Sequence, residues 1–186
     1  LTSKDIQSII PDIPNIYSEP FSDASQLGTF LICREIRSAG IKVAISGDGA
    51  DELFGGYNRH KYAPLIHKRL SKLPYNFINL LALALNTLPS NKDGISQEKK
   101  RKLISAIKSS RNINSIYDSI ISNNSKIKDF HKYTDFEEAN FLNLSNIEAP
   151  SESERIMLAD TISYLPNDIL VKLDRASMHV GLETRT

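Results

Sequence analysis

Apolar positions along the chain follow a helical period over most of its length and a strand-like alternation in one short stretch. Leu27, Phe30, Leu31, Ile32 and Ile36 cover most of a helix circumference, which predicts a sandwiched helix from about Asp23 to Ala39. Asp23, with Gln26 three residues on, makes a capping-box-like start, and Gly40 supplies the stop. Ile41-Lys42-Val43-Ala44-Ile45 then alternates and is rich in β-branched residues, as a strand of an α/β sheet would be. Upstream, Pro11 to Pro20 reads as an extended, proline-punctuated lead-in. Residues 23–46 therefore form the helix-to-strand half of a crossover unit, whose preceding strand lies outside the chain or in Asn15 to Ser18.

From Arg59 the texture becomes helical. Pro74 to Leu88 is a helix rich in Leu and Ala, and Pro89 to Gly94 a loop. Lys99, Lys100, Arg101 and Lys102 form a basic cluster that reads as a solvated helix face or helix start, with no ligand assigned. Ile113, Ile116, Tyr117, Ile120 and Ile121 make a core stripe, and Asn and Ser around residues 122–125 mark a connection. Ser151 and Glu154 fit a capping box ahead of Ile156, Leu158, Ala159, Ile162 and Leu165. Pro166 is expected to break that helix, with a second one starting over Asn167 to Leu170 and carrying Lys172, Asp174 and Arg175. On periodicity alone those three are surface charges.

The run Ser46-Gly47-Asp48-Gly49-Ala50-Asp51-Glu52-Leu53-Phe54-Gly55-Gly56-Tyr57 follows the strand pattern directly. Ligands of open α/β sheets bind at that carboxyl end, and backbone N–H groups of a glycine-rich loop can hold an anion there. Carboxylates beside the anion suggest a metal riding on it. On spacing alone a plain turn is an equal reading, with Asp48 and Asp51 capping a helix that begins near Glu52. The loop lacks the alternating oxygen ligands of an EF-hand, and no Gly-Lys-Ser/Thr of a Walker phosphate loop follows it.

The 186 residues suffice for one core, and 23 basic against 22 acidic side chains produce no broad field for nucleic acid. Phe77 to Leu85, the longest apolar run, is interrupted by Asn79 and is too short for a bilayer. Cys33 is the one cysteine, so no internal disulfide forms, and it offers no zinc spacing with the four histidines. These features predict a soluble chain in a reducing, cytoplasmic setting.

The run Ser46 to Tyr57 resembles the second nucleotide-site motif of the glutamine-hydrolysing asparagine synthetase family, in its C-terminal synthetase domain. Tyr164-Leu165-Pro166-Asn167-Asp168-Ile169-Leu170-Val171-Lys172-Leu173-Asp174-Arg175-Ala176-Ser177-Met178, continued by Leu182-Glu183-Thr184-Arg185, resembles another of its signatures. Glu19-Pro20-Phe21-Ser22-Asp23-Ala24-Ser25 resembles the segment upstream of the first. The three stand in the family's order and cover about half the chain; the middle matches loosely. Two family features do not occur: a first phosphate loop of the form Ser-Gly-Gly-x-Asp-Ser, and a glutaminase domain with its N-terminal Cys. The chain also begins with Leu1 and stops before the family's Pro-Phe-Leu-Asp run and later catalytic Lys. It is therefore expected to be a piece of a larger protein, inactive by itself and at best weak in binding Mg·ATP.

The resemblance implies an α/β, mostly helical chain, part of an adenine nucleotide α-hydrolase-like parallel-sheet domain. Residues 1–186 would be one partial synthetase domain, with 1–60 the nucleotide-site α/β part, 61–150 a helical part and 151–186 a helical return to the active site. The implied activity is an ATP-dependent carbon–nitrogen ligase that adenylates aspartate and amidates it with glutamine-derived ammonia. Its cofactors would be ATP and Mg²⁺. Asp51 would be the metal ligand. Asp48 would orient or deprotonate the ammonia or stabilise the tetrahedral species, and Arg175 would face phosphate or adenylate. Ser46 and Gly47 would contact the nucleotide through backbone groups, with Asp174 beside it. Glu52 is equally a site acid or a first-turn helix acid favoured by the dipole. The implied partner is an N-terminal glutaminase domain of the same parent chain, with no nucleic acid or membrane; a homodimer is compatible. Two other readings share these motifs: an amidotransferase acting on a sugar acid or other carboxylate in surface polysaccharide synthesis, and a non-catalytic nucleotide-binding member.

Overall fold

Residues 2–21, 23–87, 96–121 and 147–186 are described by a computed structural model. They fall into two compact units, Leu1–Leu53 with Asp160–Thr186, and Phe54–Ala159. The chain is mostly helical with one small parallel sheet, an α/β architecture.

The first unit opens with helices where the prolines predict extended chain. Helix α1 (Ser3–Ile9) starts from a reciprocal cap between Thr2 and Asp5, and a 3-10 turn (Ile10–Asp12) and helix α2 (Ile13–Tyr17) follow. Pro11 and Pro14 each occupy the first turn of a helical segment, where a missing N–H leaves no bond unmade. Ile9, Ile16 and Tyr17 are thereby buried, and residues 15–18 form no strand. The turn out of α2 puts Ser18 in the left-handed region, φ 63°.

Helix α3 spans Gln26–Ser38, three residues later than the Asp23 start the sequence pattern predicts. Asp23 does not cap it: Asp23 Oδ1 accepts from the Ser25 N–H at 2.8 Å, and the Gln26 side chain donates to the Phe21 carbonyl. Phe30, Leu31 and Cys33 are buried, yet Ile32 is 52% exposed, so the helix buries one side rather than its whole circumference. The stop is where the pattern places it, with Gly40 at φ 84° after Ala39.

Strand β1 (Val43–Ile45) is shorter than the apolar run from Ile41. It pairs in parallel with β2 (Glu183–Arg185), Val43 beside Glu183 and Ile45 beside Arg185. Between α3 and the sheet, Ala44 joins a core of Ile9, Ile16, Tyr17, Phe30, Leu31, Cys33, Ala176 and Leu182. Helix α4 (Ala50–Phe54) follows the loop after β1.

In the second unit, helices α5 (Asn58–Leu70), α6 (Tyr75–Thr87), α7 (Gln97–Lys108), α8 (Ile113–Ile121) and α9 (Glu152–Ala159) match the predicted helical texture. The Ile113, Ile116 and Tyr117 stripe is core, with Ala63, Ala106, Ile156 and Ala159 opposite. The 99–102 cluster lies in the first turns of α7. Ser151 caps α9 as its spacing predicts, its Oγ 3.2 Å from the Glu154 N–H and 2.7 Å from Glu154 Oε2. His67 and Glu152 tie α5 to α9 at 2.7 Å. The expected loop at 89–94 and connection at 122–125 lie outside the described residues.

Back in the first unit, Pro166 does not end the helical path. Residues Asp160–Leu170 form a π-helix that runs into helix α10 (Val171–His179). Within this segment Asn167 Nδ2 donates to the Ser163 carbonyl at 2.8 Å. Among the described residues no helix is long and apolar enough to cross a membrane.

Candidate functional site

The loop that leaves β1 and the helix start after it hold Ser46, Gly47, Asp48 and Asp51. Ser46 extends the sheet by one rung, its N–H donating to the Arg185 carbonyl at 2.7 Å. That donor is used, so the carbonyl and hydroxyl of Ser46 are what a ligand would meet. Ser46 Oγ is buried and has no hydrogen-bond partner among the described residues. A buried hydroxyl without a partner is uncommon and points to a ligand or water that completes it.

Gly47 accepts from the Ala50 N–H at 3.2 Å, and a Cβ at Gly47 would meet nothing within 4 Å. Open space therefore lies beside this backbone. Gly49 differs: its φ of +91° is disallowed for an ordinary side chain, while a Cβ there would rest 3.6 Å from Leu165. Backbone conformation, not crowding, requires this glycine. Leu165, on the π-helix that carries the start of the second signature, thus lies beside the turn at Gly49.

Asp51 and Glu52 occupy the first turn of α4, where the helix dipole favours negative charge. They have opposite surroundings: Asp51 is exposed, and Glu52 is 1% exposed. Asp51 makes no ion pair among the described residues. Asp48 is half-buried in the loop. Its charge reaches the buried Cys33, whose thiol is raised by burial first and by Asp48 to a lesser degree. Cys33 is therefore a neutral, inert core thiol.

Helix α10 buries Lys172, Ala176 and Ser177, leaves Asp174 exposed and holds Arg175 half-buried. Arg175 Nη1 donates to the Tyr17 carbonyl at 3.1 Å, and its other N–H groups make no hydrogen bond among the described residues. Gly181, at φ 68°, turns the chain from α10 into β2, and the Ser177 carbonyl accepts from the Leu182 N–H at 2.9 Å. Ser46, Gly47, Asp48 and Asp51 thus share one loop and helix start, while Asp174 and Arg175 sit on the helix that leads into the neighbouring strand.

Lys172 is the feature that periodicity missed. Its ammonium is 2.5 Å from Asp23 Oδ2, joining the Glu19–Ser25 run to the second signature. Burial pushes the Asp23 carboxyl up, but hydrogen bonds from Lys172 and Ser25 outweigh it and hold the carboxyl below its ordinary value. The available signal was helical spacing: Lys172 and Ala176 lie one turn apart on a face that a small residue marks as packed.

Among the described residues no three His, Cys, Asp or Glu side chains converge as a metal cage. A Mg²⁺ ion needs none, because it commonly binds through one or two carboxylates and completes its shell with phosphate and water oxygens. The exposed carboxylate of Asp51, which makes no ion pair among the described residues, fits that role, next to a loop with room at Gly47 and a Ser46 hydroxyl with no partner among those residues.

The family model described as asparagine synthase matches residues 1–186, the whole chain. The chain belongs to the asparagine synthase family. A relative named asparagine synthetase [glutamine-hydrolyzing] 1, from Bacillus subtilis strain 168, is 22% identical over 194 residues, covering 100% of this chain and 29% of its own length. A putative asparagine synthetase [glutamine-hydrolyzing] from Mycobacterium bovis is 31% identical over 52% of this chain and 14% of its own. Asparagine synthetase [glutamine-hydrolyzing] 1 of Arabidopsis thaliana is 54% identical over 35 residues, 19% of this chain and 6% of its own. The chain thus spans less than a third of the length of these curated relatives. No solved structure matches it. The Glu19–Ser25 run and the Tyr164–Met178 run lie in one unit with Ser46–Leu53, and the Lys172–Asp23 pair joins the first two.

Proposed function

We propose that this chain is the nucleotide-site part of an ATP-dependent carbon–nitrogen ligase that makes asparagine with glutamine as amide donor. The observation that carries the reading is the loop at the carboxyl end of β1, where among the described residues the buried hydroxyl of Ser46 has no partner and the Asp51 carboxylate no ion pair, with open space at Gly47, in a chain of this family. Residues 1–186 would form one part of the synthetase domain, working in a cytoplasmic setting with an N-terminal glutaminase domain of the same protein.

In the proposed reaction an oxygen of the aspartate side-chain carboxylate attacks the α-phosphorus of ATP, and the bond to pyrophosphate breaks. Ammonia nitrogen then attacks the acyl carbon, the bond to AMP breaks, and one proton leaves the nitrogen. Ser46 and Gly47 border the nucleotide, with Asp174 beside it. Asp51 would hold Mg²⁺, which supplies charge neutralisation at the phosphate oxygens. Arg175 offers its remaining donors to the phosphate or adenylate, and a planar, always-charged fork suits that anion. Asp48, half-buried next to the loop backbone, orients the ammonia and accepts its proton.

Aspartate-dependent ATP–pyrophosphate exchange by the full-length protein tests this reading. Exchange that Asp51→Asn abolishes is the expected result. Exchange with a sugar acid but not with aspartate would move the substrate assignment to the polysaccharide amidotransferases. Silence with every carboxylate would contradict a ligase.

A further inference from the structure

Two polar contacts from one face of α10 reach Tyr17 and Asp23, which bracket the turn into α3. Lys172 and Arg175 are three positions apart, so both project from the same side of the helix. At one end Lys172 Nζ donates to Asp23 Oδ2, and Asp23 accepts in turn from the Ser25 N–H at 2.8 Å and the Ser25 hydroxyl at 2.7 Å. The turn is then pinned internally: Gln26 Nε2 donates to the Phe21 carbonyl at 2.8 Å and the Tyr17 hydroxyl to the Gln26 carbonyl at 3.0 Å. Tyr17 and Phe21 stack with ring centroids 5.5 Å apart. At the other end the Tyr17 carbonyl accepts from Arg175 Nη1 at 3.1 Å.

A lysine as buried as Lys172, 8% exposed, keeps its charge only with a counter-charge in place. Asp23 supplies it from 149 residues away in sequence. Arg175, by contrast, gives up one donor to a main-chain carbonyl, which fixes the rotation of its guanidinium plane and so the direction of the donors it keeps.

We propose that Lys172 and Asp23 are positioning residues: their ion pair sets the 17–26 turn, and through the Tyr17 carbonyl that turn sets the aim of the Arg175 guanidinium at the phosphate of the nucleotide. The inference rests on the role given to Arg175 under the proposed function. It assigns the Glu19–Ser25 run a task distinct from contact with substrate, which is to orient the cation on α10.

The test uses the full-length protein with Lys172→Met, Asp23→Asn, Lys172→Arg and Arg175→Ala, and a Lys172→Met/Arg175→Ala double variant. Carboxylate-dependent ATP–pyrophosphate exchange gives kcat and KM for ATP, and hydrogen–deuterium exchange reports the amides of residues 17–26. Lys172→Met and Asp23→Asn are each expected to lower kcat/KM for ATP by at least about tenfold, with most of the change in KM, because a misplaced contact of about an ångström is enough for such losses. Lys172→Arg retains most of the activity. In the Arg175→Ala background Lys172→Met adds less than about twofold, since the two substitutions disable one device. Equal losses in both backgrounds would mean a purely structural pair and would overturn the inference, as would an unchanged KM. If the wild-type protein shows no exchange with any carboxylate, the functional reading fails separately. Amide protection at 17–26 then decides the pinning of the turn itself: loss of protection in Lys172→Met supports it, and unchanged protection overturns it.

Discussion

Gly49 shows how one residue ties backbone to chemistry. The φ of +91° it adopts costs a residue with a Cβ about 1–2 kcal/mol, and the neighbouring Leu165 side chain adds only ordinary contact at 3.6 Å. Gly49→Ala should therefore lower stability by about that amount in urea denaturation and loosen the loop that carries Asp48 and Asp51. Asp118, half-buried on α8, has its carboxyl raised by burial. For an acid raised in the folded state, stability falls as pH climbs from the unfolded value near 3.8 through the raised one, and the loss persists above it. Asp118→Asn should raise the Tm at pH 7, and the gain should vanish below about pH 3, where both states are protonated. Asp23 behaves in the opposite sense: its folded value is lowered, so its contribution is complete well above 3.8 and lost as pH falls through the lower folded value. The acid limb of a Tm-against-pH curve should flatten in Asp23→Asn. At this scale the Gly40 stop was legible in the sequence, since a chain reversal with φ > 0 favours glycine. The Lys172–Asp23 pair was not, because a lysine on an amphipathic helix carries no local mark of the carboxylate it will meet 149 residues away.

Elements were legible where periodicity was strong and misread where proline or a tertiary partner intervened. Helix α8 follows directly from its isoleucine stripe, and α6 spans Tyr75–Thr87 within the predicted Pro74 to Leu88. The N-terminal prolines suggested extended chain because proline disfavours helix interiors, yet Pro11 and Pro14 sit in first turns, where that objection lapses. Asp23 looked like a cap because its spacing to Gln26 is right; Lys172 and Ser25 claim its oxygens instead. Pro166 marked a real irregularity, expressed as a π-helix over Asp160–Leu170 rather than a break. In that segment the Asn167 amide donates to the Ser163 carbonyl. Asn167→Ala should cost about 1 kcal/mol, seen as faster amide exchange confined to the π-helix and the start of α10.

For the molecule as a whole, fold class and family were readable because three separated runs resemble one family in order, and the family model covers residues 1–186. Composition alone had excluded little beyond a strongly charged nucleic-acid binder. The chain divides into a 1–53/160–186 unit and a 54–159 unit, the first assembled from both ends of the sequence, with β1 and β2 paired inside it. The Ser-Gly-Gly-x-Asp-Ser loop of the family does not occur in these 186 residues, so the chain by itself should show no carboxylate-dependent ATP–pyrophosphate exchange.

The central claim is that the loop after β1 is a nucleotide site whose Asp51 carries Mg²⁺. Calorimetric titration of ATP into the full-length protein, with Mg²⁺ and with EDTA, for wild type and Asp51→Asn, tests it most directly. The account predicts binding that Mg²⁺ tightens in the wild type, with that gain lost in Asp51→Asn while the Tm is retained. Equal Mg²⁺ enhancement in both proteins, or no ATP binding by the wild type, would contradict it.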